Sequence, residues 1–339
     1  MNLNPMTIGQ MMAEIDVPSA WEWSAEKLSS AKRRRIMVLG ATDSGKSTYC
    51  RFLSRRLMEA GSKVAIVDAD VGQKDIGPPT CITSGFPEPS GMLEAIAPSS
   101  FYFVGTVTPV RHLLPMVVGT KQVVDSSRAF VTVINTTGLI HGIGRVLKGF
   151  KIEAVRPDAI VAIERSYELH AILRAYRNYR IFRIAPSGLA VPKTPEQRRA
   201  ARAAAFAAYF EKAVEVSLDT RKVIFQRSLL FNGMPITTPG VLHMEKTWEG
   251  TLIVSEESQG RDRGSILIEP GFEENLLCGA ADRGSFGTGL AIIKKIDFPA
   301  GIISLITPVP AERIKIIQFG DIYLDSSGRE LDRKKPGFF

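Results

Sequence analysis

Nine consecutive residues, Gly40-Ala41-Thr42-Asp43-Ser44-Gly45-Lys46-Ser47-Thr48, carry the spacing GxxxxGK[ST]. Glycines at those places let the chain curl so that several backbone N–H groups point at one phosphate. The positive end of a following helix adds to that field. Lys46 would supply a mobile charge for the β and γ phosphates of a nucleotide, and the Ser47 hydroxyl stands where Mg2+ needs an oxygen ligand. Asp68 and Asp70 end the next apolar run. Carboxylates there can serve a metal ion, directly or through water, and Asp70 can equally accept a proton from an attacking hydroxyl. The plainer role for either is to cap a helix.

The type of nucleotide follows by elimination. A guanine-reading [NT]KxD does not occur, since Thr120-Lys121-Gln122-Val123 has no aspartate in place. The extra loop lysine of KGGxGK-type ATPases is replaced by Ala41. ATP is favoured over GTP.

A phosphate loop works only between a buried strand and a helix. Ile36 to Leu39 supplies the strand, Ser47 to about Ala60 the helix, and Gly61 its end. Further β-type runs follow at Val64–Val67, Phe101–Val104, Phe130–Ile134, Ala159–Ile163 and Ile181–Ile184, with helical stretches at Val110–Val118 and Tyr167–Tyr176. That alternation predicts an α/β fold, a P-loop NTPase core with a mainly parallel, helix-covered sheet. Pro195 to Val214 reads as one alanine-rich helix with proline in its first turn. From Thr220 onward the chain changes to short β runs separated by Gly, Pro, Asp and Asn, which predicts a small, mainly β second domain. The expected organisation is an N-terminal extension over 1–32, with Trp21 and Trp23 packing onto the domain behind it. The kinase-type core follows over 33–218, the β-rich domain over 219–332 and a frayed basic tail over 333–339.

With 339 residues, 45% of them hydrophobic and 23% charged, the chain has the composition of a folded globular protein. Cys50, Cys81 and Cys278 form no CxxC pair, which excludes a zinc ribbon and points to a reducing compartment. No apolar run approaches the roughly 20 residues of a membrane span. Residues 1–16 lack a secretory pattern. The expectation is a cytoplasmic protein without a membrane partner. Lysine and arginine outnumber acids by 43 to 35, giving +8 and favouring polyanionic partners. Arg174, Arg177, Arg180 and Arg183 recur every third residue, as a solvated face or as a track for a nucleic-acid backbone.

Several stretches together resemble the polynucleotide 5′-hydroxyl kinase family, which includes the kinase subunit of eukaryotic pre-mRNA 3′ cleavage, the nucleolar pre-rRNA-processing kinase, and shorter archaeal and bacterial relatives. GATDSGKST is similar to the family's GxTDxGKST, Asp68-Ala69-Asp70-Val71-Gly72-Gln73 to DxDxGQ, and Phe103 to Pro109 to FxGxTSP. Asn135-Thr136-Thr137-Gly138-Leu139-Ile140-His141-Gly142-Ile143-Gly144 resembles the clasp NTxGWxxGxG, and Lys193 with Arg198 the basic pair of the lid. The resemblance implies ATP- and Mg2+-dependent phosphorylation of the 5′-hydroxyl of single-stranded or end-exposed RNA, with DNA as a further acceptor. In that scheme Asp70 orients or deprotonates the hydroxyl. Lys46 and Ser47-bound Mg2+ hold the phosphates, and Lys193 and Arg198 cover the transferred group. Gln73, Thr136, Thr137, Gly138 and Leu139 contact the acceptor. Two residues depart from the pattern: Leu139 replaces the clasp tryptophan, and Lys193 replaces an arginine. Rival implications are an ATP-bound scaffold without turnover and a P-loop GTPase or general NTPase.

Overall fold

The computed structural model describes residues 17–30, 35–88, 96–256, 264–284 and 287–333. Residues 1–16, positions 32–34 of the basic run and the tail 334–339 lie outside them, as do Ser285 and Phe286. The first buried run forms β1 (Arg35–Gly40), and the glycine-rich turn feeds α2 (Lys46–Glu59). Strand β1 runs parallel between β5 (Val131–Thr136) and β6 (Ala159–Ile163). Beyond them β2 (Val64–Ala69) pairs with β5 and β7 (Arg180–Ile184) with β6, again in parallel. All five carboxyl ends therefore reach one edge of the sheet, and the phosphate loop leaves the middle strand, the position where open α/β sheets hold ligands. Strands β3 (Cys81–Gly85) and β4 (Ser100–Phe103) extend the sheet antiparallel past β2.

Alternation along β1 divides the core in two. Ile36 and Val38 pack with Tyr49, Leu53 and Leu57 of α2 and with Trp21 of α1 (Ser19–Ser30). Met37 and Leu39 face α3 (Leu113–Ser126), α4 (Ile143–Val155) and α5 (His170–Ala175) through Met116, Leu147, Ile152 and Ile172. Trp21 is fully buried, stands edge-on to Tyr49 and donates its indole N–H to the Ala185 carbonyl at 2.9 Å. Trp23 is 48% exposed and meets the Phe182 ring edge-on. Of the expected tryptophan pair, Trp21 anchors the extension and Trp23 lies at its margin.

The alanine-rich segment forms α6 (Pro195–Phe210), started by a capping box in which Thr194 and Gln197 exchange side-chain and backbone bonds. It stops short of Val214. From there Val214, Val216 and Leu218 alternate with polar residues and pair with β16 (Ile302–Thr307) as β8 (Val214–Asp219). Pairing of β16 with β15 (Gly287–Asp297), β15 with β14 (Leu276–Ala281) and β14 with β17 (Ile316–Leu324) builds the β-rich half. Strands β9 (Ile224–Gln226) and β18 (Glu330–Leu331) also pair with β17, while β10 (Met234–Pro235), β11 (His243–Lys246), β12 (Thr251–Val254) and β13 (Ser265–Ile268) form a separate small sheet. Strand β15 also pairs with β4 at Gly287 and Phe101, so the two halves share one 14-stranded sheet. Among the described residues no helix is long and apolar enough to cross a membrane.

Helix α6 belongs to both halves. Phe206 is its one buried residue. Phe206 sits with Phe103, Leu277, Leu290 and Leu324, and Tyr209 and Phe210 pack against that cluster. The Tyr209 hydroxyl accepts from the Leu290 N–H at 2.8 Å, and Arg202 is ion-paired with Glu330. One end of α6 is thus rooted in the β-rich half, and its first turns reach the phosphate loop.

Candidate active site

A cavity of about 650 Å3 opens at the carboxyl ends of the parallel strands. Of the residues singled out from sequence, Thr42, Asp43, Gly45, Lys46, Ser47 and Thr48 line it. Asp70, Gln73, Thr137, Gly138, Leu139, Lys193 and Arg198 join them there. Gly40, Ala41, Ser44, Asp68 and Thr136 do not.

The loop itself is shaped by Gly45, whose φ of 81° lies in the left-handed region that favours glycine. Lys46 is 7% exposed and donates to the Ala41 carbonyl at 2.6 Å, a contact inside the loop. Burial lowers the affinity of its amine for a proton, and the charge of Asp70 is the strongest of the influences opposing that shift. Asp43 holds the start of α6 and the residue before its cap: its Oδ2 accepts from the Arg198 guanidinium and from the Lys193 backbone N–H at 3.2 Å. Arg198 therefore reaches the loop with its side chain. Of Lys193, the contact with Asp43 is made by the backbone.

The two sequence-marked aspartates have different surroundings. Asp70 Oδ1 accepts from the N–H groups of Gly72 and Gln73, at 3.0 and 3.1 Å. Its carboxylate is held at the cavity wall. Asp68 is buried and its lone pairs are used within the protein. It accepts from the N–H groups of Asp70, Asp75 and Ile76, from the Asn135 amide, and from Lys74 in an ion pair of 3.1 Å. Asp68 thus organises the turn that carries Asp70 and does not line the cavity. Thr136, expected on the acceptor side, is fully buried, and its hydroxyl donates to the Val38 carbonyl at 2.8 Å, tying β5 to β1 instead of facing the cavity. Thr137 faces the cavity in its place.

Two oxygens that sequence reasoning missed fit a hard cation. Asp75 bonds the Ser47 hydroxyl, and its Oδ2 is buried with no hydrogen-bond partner. Burial first, then the negative charge of Asp68, pushes its carboxyl up to about 6. Asn135 donates to Ser47 Oγ at 3.3 Å while its own Oδ1 is buried without a partner. Ser47, Asp75 and Asn135 thus offer a hydroxyl, a carboxylate and an amide oxygen side by side, the donor chemistry Mg2+ prefers. The signal for Asp75 lay just past the end of the DxDxGQ stretch, two positions after Gln73.

The clasp abuts the loop. A side chain at Gly138 would place its Cβ 2.4 Å from Thr42 Oγ1 and 2.6 Å from the Thr42 nitrogen, so only glycine permits this approach. Leu139 is partly exposed on the cavity wall. At the rim Leu189 and Val191, 66% and 77% exposed, present apolar side chains that sequence reading passed over. The arginine series runs away from the site. Arg180 pairs with Ala159 at the amino ends of the strands, whereas Ile184 and Ile163 lie level with Gly40. Only Arg183 approaches the cavity end, where Glu164 pairs with it at 3.0 Å.

The strand order, the loop on the central strand and the carboxylate beside it define a P-loop NTPase-type fold with a β-rich second half. Residues 40–212 match the family described as mRNA cleavage and polyadenylation factor CLP1 P-loop, and the chain belongs to that family. It is 35% identical to the polyribonucleotide 5′-hydroxyl-kinase of Methanocaldococcus jannaschii, over 89% of this chain and 90% of that one. With the protein of the same name from Pyrococcus furiosus it shares 33% identity over 96% of this chain and 98% of the other. The solved Clp1p–Pcf11p complex shares the fold, with a TM-score of 0.60 at 13% identity over 89% of this chain and 77% of that one.

Proposed function

We infer that the protein is a polynucleotide 5′-hydroxyl kinase that moves the γ-phosphate of ATP to the 5′-hydroxyl end of RNA. The observation that carries this reading is the single cavity in which the phosphate loop, Asp70 and the clasp meet beneath a lid bearing Arg198. A pure NTPase needs no second face of that kind. The names of the archaeal relatives support the acceptor as RNA.

In this mechanism the nucleotide's β and γ phosphates lie on the loop N–H groups, and Lys46 leaves the Ala41 carbonyl to bind them. The acceptor end enters against Thr137, Gly138 and Leu139. Asp70, fixed by two N–H bonds on one oxygen, takes the proton of the terminal hydroxyl as that oxygen attacks the γ-phosphorus. The bond from phosphorus to the bridging oxygen breaks and ADP departs. Arg198 neutralises charge on the phosphoryl group in transit. Mg2+, which screens the phosphate charge when bound, would be held by Ser47 with Asp75 and Asn135. Gln73 completes the acceptor side, and Lys193 adds charge over the phosphates. The three buried, unpaired thiols fit a reducing, cytoplasmic setting.

The test is transfer of label from γ-labelled ATP to a 5′-hydroxyl oligoribonucleotide with Mg2+ present, run beside the DNA oligonucleotide of the same sequence and with GTP as competing donor. Label at the 5′ end of RNA is expected. ATP hydrolysis that proceeds equally well without any oligonucleotide would defeat the reading.

A further inference from the structure

Helix α4 carries two lysines, Lys148 and Lys151, that are both 0% exposed. Lysine is almost never fully buried without a partner, and an unpaired ammonium in such surroundings is costly. These two are not scattered. They stand one helical turn apart on the face turned towards the active site, and each reaches a different wall of the cavity. Lys148 Nζ donates to both the carbonyl and the hydroxyl of Thr137, the hydroxyl at 3.0 Å. Lys151 Nζ donates to the Ala69 carbonyl at 3.4 Å, between Asp68 and Asp70.

The residues they hold are those that meet across the cavity. Thr137 lines it, and the adjoining Gly138 lies in van der Waals contact with Thr42 of the phosphate loop. Ala69 is the last residue of β2 and is followed directly by Asp70. A methionine or leucine in place of either lysine would fill the same volume without an amine to desolvate. What the lysines add is a fixed hydrogen bond to the clasp on one side and to the carboxylate segment on the other.

We propose that Lys148 is a positioning residue for the acceptor strand, holding the Thr137 turn against the phosphate loop from below, while Lys151 holds the start of the Asp70 turn. The inference rests on the reading of the clasp as the acceptor contact. Lys148 touches neither substrate. It acts through Thr137, and so its removal shifts the acceptor end and leaves the nucleotide side in place. Burial depresses both amines, Lys151 to about 7, with Asp70 and then Asp68 opposing the shift on that residue and Lys74 adding to it.

Lys148→Met, made in the full chain, separates this role from plain packing. With ATP saturating, the KM for a 5′-hydroxyl oligoribonucleotide is expected to rise about tenfold to a hundredfold, the scale of a small misplacement. The KM for ATP stays at its wild-type value and thermal stability does not fall. A lower melting temperature with both KM values unchanged would mark Lys148 as a packing residue and overturn the proposal. Thr137→Val, measured alongside, distinguishes the two levels of inference. If it leaves the acceptor KM unchanged, the clasp reading fails and the proposal with it. If it raises the acceptor KM while Lys148→Met does not, the proposal alone fails. Should Lys148→Met not fold, Lys148→Gln, whose shorter amide cannot span to Thr137, is read by the same criteria.

Discussion

The phosphate loop and the clasp face each other across one cavity, yet they are held by opposite means. The loop is a single run of nine residues whose shape comes from its own glycines and from the helix that follows it. The clasp is a strand end with little to fix it locally. It is braced by Lys148 from α4, by the closeness of Gly138 to Thr42, and by Asn135 bonding to Asp68 and Ser47. One wall is local and contiguous. The other is assembled from residues far apart in the chain, which implies that the two walls fail differently when mutated.

The largest effects are expected at the residues proposed to act on the transferred phosphate. Lys46→Ala and Asp70→Asn are each expected to abolish phosphate transfer with the fold intact. ATP titration then separates them, because Asp70→Asn binds nucleotide normally and Lys46→Ala binds it poorly. Transfer retained by Asp70→Asn would show that the base lies elsewhere. Arg198→Ala should lower kcat by about 10^3 or more, on the scale of other phosphoryl-transfer arginines. An effect confined to the acceptor KM would instead place Arg198 on the clasp side. Leu139→Trp sharpens the comparison from the acceptor wall: stacking on one base is worth about 1–3 kcal/mol, and the acceptor KM should drop accordingly while the ATP KM does not move. An unchanged acceptor KM would put Leu139 away from the first base.

The smallest effect is on stability. Folding depresses the Lys151 amine to about 7, so between there and its ordinary value the unfolded chain binds the extra proton. Stability must therefore rise with pH across that window, and burial is most costly at neutral pH and below. Lys151→Met removes the titrating group, and its gain in melting temperature over wild type should be largest near pH 6–7 and shrink towards pH 10. A gain independent of pH would mean that the amine stays charged.

The contiguous wall was legible in the sequence for the same reason that it is locally stable. Its strand, turn and helix follow one another without help from elsewhere. The braced wall was not. Helix α4 went unread because lysines at buried positions break the apolar period shared by Leu147, Ile152 and Val155. For Asp68, sequence shows a carboxylate at a strand end but not the three N–H groups that it accepts from. Thr136 and Thr137 are neighbours of one type, and only the pleat decides which of them meets the cavity. Strand β14 escaped notice for a related reason. Its Cys278-Gly279-Ala280-Ala281 stretch looks too small for a strand, yet the Phe103 ring lies so close to Gly279 that a Cβ there would come within 2.5 Å of it.

The arginine that answers to the phosphate loop is carried by a helix whose far end is moored, through Phe206 and Tyr209, against Leu277, Leu290 and Leu324 of the β-rich half. By covalent order it precedes the β-rich half, and by packing it depends on that half. A lesion among those apolar residues would therefore present as a chemical defect in an enzyme that still takes up its nucleotide, and a geneticist mapping such alleles would find them on the side of the molecule that has no phosphate to touch.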